Sequence, residues 1–213
     1  MSHTQIIVLD LDGTLLDTLA RHYAVYQLIT GSLQIQPLTF ADYRQFRRAG
    51  MTNIEVLLRS GLRLEDRKLA KLTWLKHIET LEMLKLDQLF PGVPEWLGSH
   101  ENWIEFALVT LRSNAQTLRT QLVWLDLLPY FQQVLDVPHQ DDAAGAKAMA
   151  VGENVQADIV AWIGDSEIDI KAAQQIGVEA IGVTSGMRTA EALLAAGAHE
   201  THSLVTDIRR WQK

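Results

Sequence analysis

The chain has 213 residues, of which 47% are hydrophobic and 21% charged, and its formal net charge is −7 at pH 7. These values are typical of a globular protein with a buried core, and the negative charge argues against a nucleic-acid partner, which requires a basic surface. The absence of cysteine excludes disulfides and thiolate chemistry. Residues 1–5 lack the features of a signal peptide, and no apolar run reaches the roughly 18 residues of a membrane span. We therefore expect a cytoplasmic, monomeric protein with no membrane partner.

Short apolar runs rich in β-branched residues recur along the chain and predict buried strands. They occupy 5–10, 103–109, 133–137, 159–163 and 180–183. Helical patterns lie between the later runs, with Leu118, Leu122 and Leu125 on one helix face. Strands that alternate with helices predict an α/β protein with a mostly parallel sheet and right-handed crossovers.

The segment 16–87 interrupts this alternation, because it carries helical periodicity and no convincing strand. Four breakers divide it into about four helices: Gly31, Pro37, Gly50 and Gly61. We predict that 16–87 is a small all-helical domain inserted after the first strand, and that 1–15 and 88–213 together form the α/β core domain.

Two acidic turns directly follow predicted strands. Asp10 and Asp12 come after the first strand, where Gly13 permits a sharp turn, and Asp165 and Asp169 come after a later one. Taken singly, each turn is also compatible with an Asx-turn or a helix cap. In an open parallel sheet, however, ligands bind at the carboxyl ends of the strands. Carboxylates crowded there are costly without a cation, and oxygen ligands of this kind suit Mg²⁺.

Four segments resemble, in order, the four motifs of the haloacid dehalogenase superfamily. They are Asp-Leu-Asp-Gly-Thr-Leu at 10–15, Thr110, Lys147, and Gly-Asp-Ser-Glu-Ile-Asp at 164–169. The helical block resembles the C1-type cap of that superfamily, and 10–18 is similar to its phosphoglycolate-phosphatase and β-phosphoglucomutase branch. The resemblance spans nearly the whole chain. It implies a Rossmann-like three-layer core with a central parallel sheet, and Mg²⁺-dependent hydrolysis of a small phosphorylated metabolite.

The resemblance also implies a catalytic role for individual residues. Asp10 would attack phosphorus and form an aspartyl-phosphate, and Asp12 would protonate the leaving oxygen and later deprotonate the attacking water. Thr110 would hydrogen-bond a phosphoryl oxygen, and Lys147 would neutralise charge on the nucleophile and the phosphate. Relatives that cleave carbon–halogen bonds lack a carboxylate at the position of Asp12, so its presence favours phosphate esters.

The same resemblance implies a set of metal ligands. Mg²⁺ would be bound by Asp10, by Asp165 and by the backbone carbonyl of Asp12. Asp169 would act either as a further ligand or as a residue that orients the others. Oxygen donors alone are used in this arrangement, as Mg²⁺ prefers.

Three arginines are candidate substrate-binding residues. Arg112 follows Thr110 by two positions, where many relatives carry a different local sequence, and it either reaches the substrate or lies on the surface. Arg47 and Arg48 belong to a loop of the predicted cap. They either grip a carboxylate or second anionic group of the substrate, or they are ordinary solvated helix charges.

Two other functions stay open beside the phosphatase. A β-phosphoglucomutase-like phosphotransferase would share every core residue, although Asn53 stands where such mutases place an arginine that grips the second phosphate. A catalytically idle binding module with the same fold is the second alternative, because fold does not dictate function. The His-Glu-Thr-His stretch at 199–202 does not fit a metalloprotease motif, whose histidines lie four residues apart.

Overall fold

The computed structural model describes residues 4–100 and 103–212. Its strands are β1 (Gln5–Leu9), β2 (Leu16–Asp17), β3 (Gln88–Leu89), β4 (Ile104–Thr110), β5 (Phe131–Asp136), β6 (Asp158–Gly164), β7 (Ala180–Val183) and β8 (Glu200–His202). Its α-helices are α1 (Leu19–Ser32), α2 (Phe40–Arg48), α3 (Asn53–Arg59), α4 (Arg67–His77), α5 (Leu81–Leu84), α6 (Val93–Gly98), α7 (Ala115–Trp124), α8 (Ala143–Asn154), α9 (Glu167–Gln175) and α10 (Ala190–Ala195). Short 3₁₀ helices lie at Leu64–Asp66, Leu128–Tyr130 and Val205–Asp207.

The main sheet is parallel, as the alternating sequence pattern predicts. In the part of the chain that the structure describes, it has six strands in the order β5-β4-β1-β6-β7-β8. The chain leaves β1 toward β4 and β5 on one side and continues with β6, β7 and β8 on the other. The carboxyl ends of β4, β1 and β6 therefore lie side by side at a topological switch point, which is where open parallel sheets bind ligands.

Strand β1 is buried on both faces, because its alternate side chains enter two different cores. Ile7 and Leu9 belong to one core together with residues of α6 and α7. Ile6 and Val8 belong to a second core on the other face, together with residues of α8 and α9. Helices thus cover both faces of the sheet, and the predicted three-layer α/β architecture is confirmed.

Each of the five predicted strands matches an observed strand within about two residues at each end, whereas β2, β3 and β8 were not predicted. β2, which lies inside the segment 16–87 where no strand was expected, and β3 have only two residues each. β8, with the sequence Glu-Thr-His, is a short edge strand of the main sheet and contains no apolar run. The stretch 199–202 that superficially resembles a metalloprotease motif is thus largely a strand rather than a helix.

Contact density divides the chain into two compact units. One comprises the residues through Asp17 together with those from Leu89 onward, and the other is Thr18–Gln88. The sequence-based boundaries, at 15/16 and 87/88, lie within two residues of these divisions. Within the described residues, no helix has the length and apolar character that crossing a bilayer would require.

The unit Thr18–Gln88, all of which the structure describes, contains five α-helices, one more than the sequence predicts. Gly31 lies inside α1 and does not separate two helices, whereas Gly50 and Gly61 adopt positive φ angles of 89° and 106° just beyond helix ends. The unit has its own core, which includes Tyr26 and Tyr43. Strands β2 and β3 form a second, two-stranded sheet near residues 17 and 88, where the chain passes from one unit to the other.

A buried ion pair lies inside this unit. Arg21 Nε is 3.0 Å from Asp87 Oδ1, and the two side chains are 1% and 0% exposed. We expect Asp87→Asn to lower the free energy of unfolding by about 3–5 kcal/mol, because it removes the negative charge that lies against a buried guanidinium. Urea unfolding measures this, with Arg63→Ala as the control, since the Arg63–Asp66 pair is exposed and its loss should be nearly neutral. Equal effects of the two variants would contradict the prediction.

Candidate active site

The predicted acidic turns meet at the carboxyl edge of the parallel sheet. Asp10 directly follows β1, and its backbone N–H donates to the carbonyl of Ile163 in β6 at 3.0 Å. Asp165 directly follows β6, and Thr110 is the last residue of β4. Because β1 lies between β4 and β6, these three positions come together although they are far apart in sequence.

Three carboxylates form a buried cluster at this edge. Asp10, Asp165 and Asp169 each offer an oxygen atom, and these atoms all lie within 4.8 Å of one another. The three residues are 5%, 7% and 1% exposed. Buried like charges repel strongly unless a cation accompanies them, so this cluster requires positive charge nearby.

Lys147 supplies one such charge. It extends from α8, is 2% exposed, and its Nζ lies 2.6 Å from Asp10 Oδ1 and 2.7 Å from Asp169 Oδ1. Most lysines are solvent-exposed, but this side chain is buried between two carboxylates. Its ammonium group therefore fixes the orientation of Asp10 through a charge-assisted hydrogen bond.

Asp169 is held from both sides. Its Oδ1 accepts from Lys147, and its Oδ2 accepts from the hydroxyl of Ser166 at 2.6 Å. Asp169 lies in the first turn of α9, while Ser166 is the N-cap residue of that helix. Both oxygens of Asp169 are thus engaged with protein groups, an arrangement suited to orienting Lys147.

The cluster shifts the pKa values of its members. Burial raises the pKa of Asp10 well above its ordinary value of 3.8, although Lys147 opposes the shift, and the charges of Asp169 and Asp165 raise it further. Burial and the charge of Asp169 raise the pKa of Asp165 to about 7. Burial alone would lower the pKa of Lys147, but the neighbouring carboxylates outweigh burial and raise it. One ammonium does not fully offset three buried carboxylates, so the donor set fits a divalent cation.

These shifts predict how the stability of the metal-free protein depends on pH. The pKa of Asp165 is about 7 in the folded state and near 3.8 in the unfolded state, so the folded state binds more protons than the unfolded state between these two pH values. Stability should therefore fall as pH rises through this window. In urea unfolding with chelator present, we expect the free energy of unfolding to fall less with rising pH for Asp165→Asn than for wild type. Equal pH dependence in the two proteins would contradict the prediction.

The loop after β7 closes against Asp165. The backbone N–H of Met187 donates to Asp165 Oδ2 at 3.0 Å, and the hydroxyl of Ser185 donates to the carbonyl of Gly13 at 2.7 Å. A Cβ at Gly186 would overlap the carboxylate of Asp165, and a Cβ at Gly13, whose φ is +88°, would approach it too closely as well. Two glycines thus allow the backbone to pass directly over the acidic cluster.

Gly186→Ala is therefore expected to displace Asp165. Residues that hold a metal ligand typically contribute 10–100-fold to metal affinity. With Asp165 as one of the expected Mg²⁺ ligands, we therefore expect this variant to bind Mg²⁺ at least about tenfold more weakly than wild type. Calorimetric titration with Mg²⁺ measures this. Gly152→Ala is the matched control, because a Cβ at that helical glycine meets no atom within 4 Å. Unchanged Mg²⁺ affinity in Gly186→Ala would contradict the prediction.

Asp12 is held by Arg112. Nε and Nη2 of Arg112 donate to the two carboxylate oxygens of Asp12 at 3.0 and 2.7 Å, which is a bidentate pair. Nη2 also donates to Gln121 Oε1 on α7 at 3.3 Å. Arg112 is 2% exposed, so it is not a surface arginine. Thr110, two residues before Arg112 in the chain, is also buried, and its carbonyl accepts a hydrogen bond from the backbone N–H of Arg112.

The two arginines predicted in the cap belong to the unit Thr18–Gln88. Arg47 is the next-to-last residue of α2, and its Nη1 donates to the carbonyl of Met51 at 2.7 Å. This bond ties the end of α2 to the residue just before the N-cap of α3. Arg48 is the last residue of α2. Both stay candidates for binding an anionic group of a substrate.

The histidines near the C-terminus have other partners. His199 Nδ1 accepts from the backbone N–H of Ala180 at 3.0 Å, and His202 Nε2 lies 3.2 Å from Glu200 Oε1. Among the described residues, the group with metal-binding geometry is the acidic cluster of Asp10, Asp165 and Asp169.

Sequence reasoning missed several residues that support the site. Ser166, Ser185 and Gly186 each lie against a motif residue or its backbone, and Gln121 contacts Arg112. Ser166 lies between two predicted carboxylates, and its position before a helix was a usable signal. The others come from distant parts of the chain, and nothing in their local sequence distinguishes them.

Comparison with known proteins gives three kinds of likeness. A family model described as haloacid dehalogenase-like hydrolase matches residues 7–183. A phosphoglycolate phosphatase from Synechococcus elongatus is 28% identical over 194 residues, which cover 90% of this chain and 89% of that protein. A putative phosphatase from Clostridium difficile has a similar fold, with a TM-score of 0.78, 18% identity and 96% coverage of both chains. A putative β-phosphoglucomutase from Thermotoga maritima matches with a TM-score of 0.64 and 21% identity, covering 93% of this chain and 94% of that one.

Proposed function

Since the chain belongs to the haloacid dehalogenase-like hydrolase family, we propose that it is a phosphatase that hydrolyses a small phosphorylated metabolite through an aspartyl-phosphate on Asp10. The observation that carries this proposal is the clamp on Asp10, by which we mean the contact of its carboxylate with the buried Lys147, which Asp169 holds in turn. The Asp10 carboxylate lies at the carboxyl edge of the sheet, 2.6 Å from the buried ammonium of Lys147 and close to two further carboxylates. A nucleophile needs this kind of fixed position and charge compensation.

Each motif residue then has a chemical task. Asp10 attacks phosphorus, and the bond to the leaving oxygen breaks as the aspartyl-phosphate forms. Asp12 gives a proton to that oxygen and later takes one from the water that cleaves the intermediate. Lys147 keeps Asp10 oriented and offsets negative charge as the phosphoryl group approaches. The hydroxyl of Thr110 donates to a phosphoryl oxygen.

The residues present fit a Mg²⁺ ion. Asp10 and Asp165 would hold it, together with the backbone carbonyl of Asp12, because Asp169 is engaged with Lys147 and Ser166. When bound, the ion supplies positive charge that offsets the acidic cluster and the phosphate oxygens. Asp169 would then act by orienting Lys147 and not as a direct ligand.

The name of a relative and two arginines of the chain bear on the substrate class. The relative from Synechococcus elongatus is named as a phosphoglycolate phosphatase, so we propose a phosphoglycolate-like or sugar-phosphate-like monoester. Arg47 and Arg48 are the proposed partners of a second anionic group on that substrate. The net charge of −7 does not favour a nucleic-acid substrate.

A panel of phosphomonoesters tests the function. We expect phosphate release from p-nitrophenyl phosphate and from at least one metabolite, in the presence of Mg²⁺ and not in chelator. 2-Phosphoglycolate and hexose phosphates belong on the panel. Isomerisation of a hexose phosphate without phosphate release would indicate a mutase instead. No reaction with any compound would favour an idle binding module and contradict the proposal.

A further inference from the structure

The contact between Asp12 and Arg112 joins two segments that lie 100 residues apart. Asp12 lies three residues beyond β1, and Arg112 lies two residues beyond β4, the neighbouring strand. Both guanidinium nitrogens that face Asp12 are within hydrogen-bond distance of its oxygens, at 2.7 and 3.0 Å. Such a fork-to-fork pair fixes the plane of the carboxylate as well as its position.

The environment of the pair is asymmetric. The Arg112 side chain is 2% exposed, while the Asp12 side chain is 25% exposed. Gln121, which is 1% exposed, accepts from Arg112 at 3.3 Å and supports the buried side of the pair. One edge of the Asp12 carboxylate is thus bound within the protein, while another part is accessible from outside.

Asp12 keeps the capacity to act while it is paired. An ionised carboxylate has about four lone-pair positions, and Arg112 donates to one on each oxygen. Because 25% of the Asp12 side chain is exposed, its carboxyl group can carry the proton that it gives to the leaving oxygen and can later accept one from water. Arg112, in contrast, directs its Nε and Nη2 donors at Asp12 and Gln121.

We infer that Arg112 is a positioning residue, which fixes the orientation of the Asp12 carboxylate and acts on the reaction only through it. This inference rests on the proposed function, in which Asp12 is the acid–base group. In this inference Arg112 acts by holding Asp12, and not by contacting the substrate, which the sequence alone also allowed. Gln121 has a supporting part, since it holds Arg112 from α7.

The inference predicts an effect that depends on the leaving group. Proton donation by Asp12 matters greatly for an alkyl phosphate, whose alkoxide leaves poorly, and little for p-nitrophenyl phosphate. General acid–base catalysis contributes about 10²–10⁴-fold, and a small misplacement of a catalytic group costs on the order of 10²-fold. The ratio kcat/KM reports the steps up to departure of the leaving group, so it isolates this role of Asp12.

The experiment measures kcat/KM of Arg112→Ala and Arg112→Lys with both kinds of substrate. We expect a loss of about 10²-fold with an alkyl phosphate that wild type hydrolyses, 2-phosphoglycolate being tried first, and a loss below about fivefold with p-nitrophenyl phosphate. The lysine variant retains the buried charge but loses the planar fork, so it serves if the alanine variant does not fold. Arg119→Ala, at an exposed position on α7, is the control.

A double variant tests whether Arg112 acts through Asp12. In an Asp12→Asn background, Arg112→Ala should cause no further loss of kcat/KM with the alkyl phosphate. Equal losses with the two substrates, or losses that add in the double variant, would overturn the inference. Arg112 variants that match wild type would also overturn it, while an impaired Asp12→Asn would leave the proposed function standing. Wild-type activity in Asp12→Asn would instead refute the acid–base role in the proposed function.

Discussion

Asp10→Asn is expected to abolish phosphomonoester hydrolysis, with kcat reduced by at least about 10⁴-fold, as is typical when a catalytic nucleophile is removed. The amide is nearly the same size as the carboxylate but cannot attack phosphorus. Asparagine can still occupy the position beside Lys147, so the fold should survive. Steady-state assays with p-nitrophenyl phosphate and Mg²⁺ measure the loss, and circular dichroism checks the fold.

Asp158→Asn is the matched control for this variant. Asp158 lies at the amino end of β6, is exposed, and accepts a hydrogen bond from Gln5 at 3.2 Å. The same chemical change at that end of the sheet should leave activity unchanged. If Asp10→Asn retained wild-type turnover, Asp10 would not be the nucleophile. Equal losses in both variants would point to a general effect on the sheet.

Lys147→Met is expected to cause the second-largest loss, about 10²–10³-fold in kcat, which is the scale for removing one electrostatic donor from an active site. Lys147 is buried between Asp10 and Asp169, and methionine fills similar volume without the charge. The variant should also be less stable than wild type in chelator, because three buried carboxylates lose their counter-charge. Added Mg²⁺ should restore part of that stability.

Lys171→Met provides the control for the lysine substitution. Lys171 is an exposed residue on α9, so neither activity nor stability should change appreciably. Activity assays and urea unfolding, each with and without Mg²⁺, cover both expectations. A fully active Lys147→Met protein would show that the clamp on Asp10 is dispensable.

The arrangement of the main sheet was predictable to a large extent. Apolar runs marked its five longer strands, and their alternation with helices indicated a parallel sheet, because parallel strands need crossover connections. The strand order was not readable from the pattern itself. It places β1 between β4 and β6, and this order brings Asp10 and Asp165 together.

The buried face of helix α4, in the unit Thr18–Gln88, was harder to predict. Leucines recur every third residue at 69, 72 and 75, yet they are 53%, 56% and 46% exposed. A spacing of three falls short of the 3.6-residue turn, so successive leucines rotate around α4 and do not all face the core. The neighbouring Ala70 is buried, which shows where the packed face lies.

Contacts between segments far apart in the chain could not be predicted from the sequence. Arg112 pairs with Asp12 because β1 and β4 are neighbours, but its local sequence was equally compatible with a surface residue. Ser185 donates to Gly13 across 172 positions of the chain. Such contacts depend on loop paths and rotamers, for which residue type and spacing carry no signal.

The central claim is that phosphate passes through Asp10, and trapping the intermediate tests this most directly. Wild-type protein mixed with p-nitrophenyl phosphate and Mg²⁺ would be quenched in acid during turnover, digested, and its peptides analysed by mass spectrometry. The proposed mechanism predicts phosphate on the peptide that contains Asp10, and its absence in Asp10→Asn. Phosphate found on another residue, or rapid product release with no phosphate on Asp10 at any time, would contradict it.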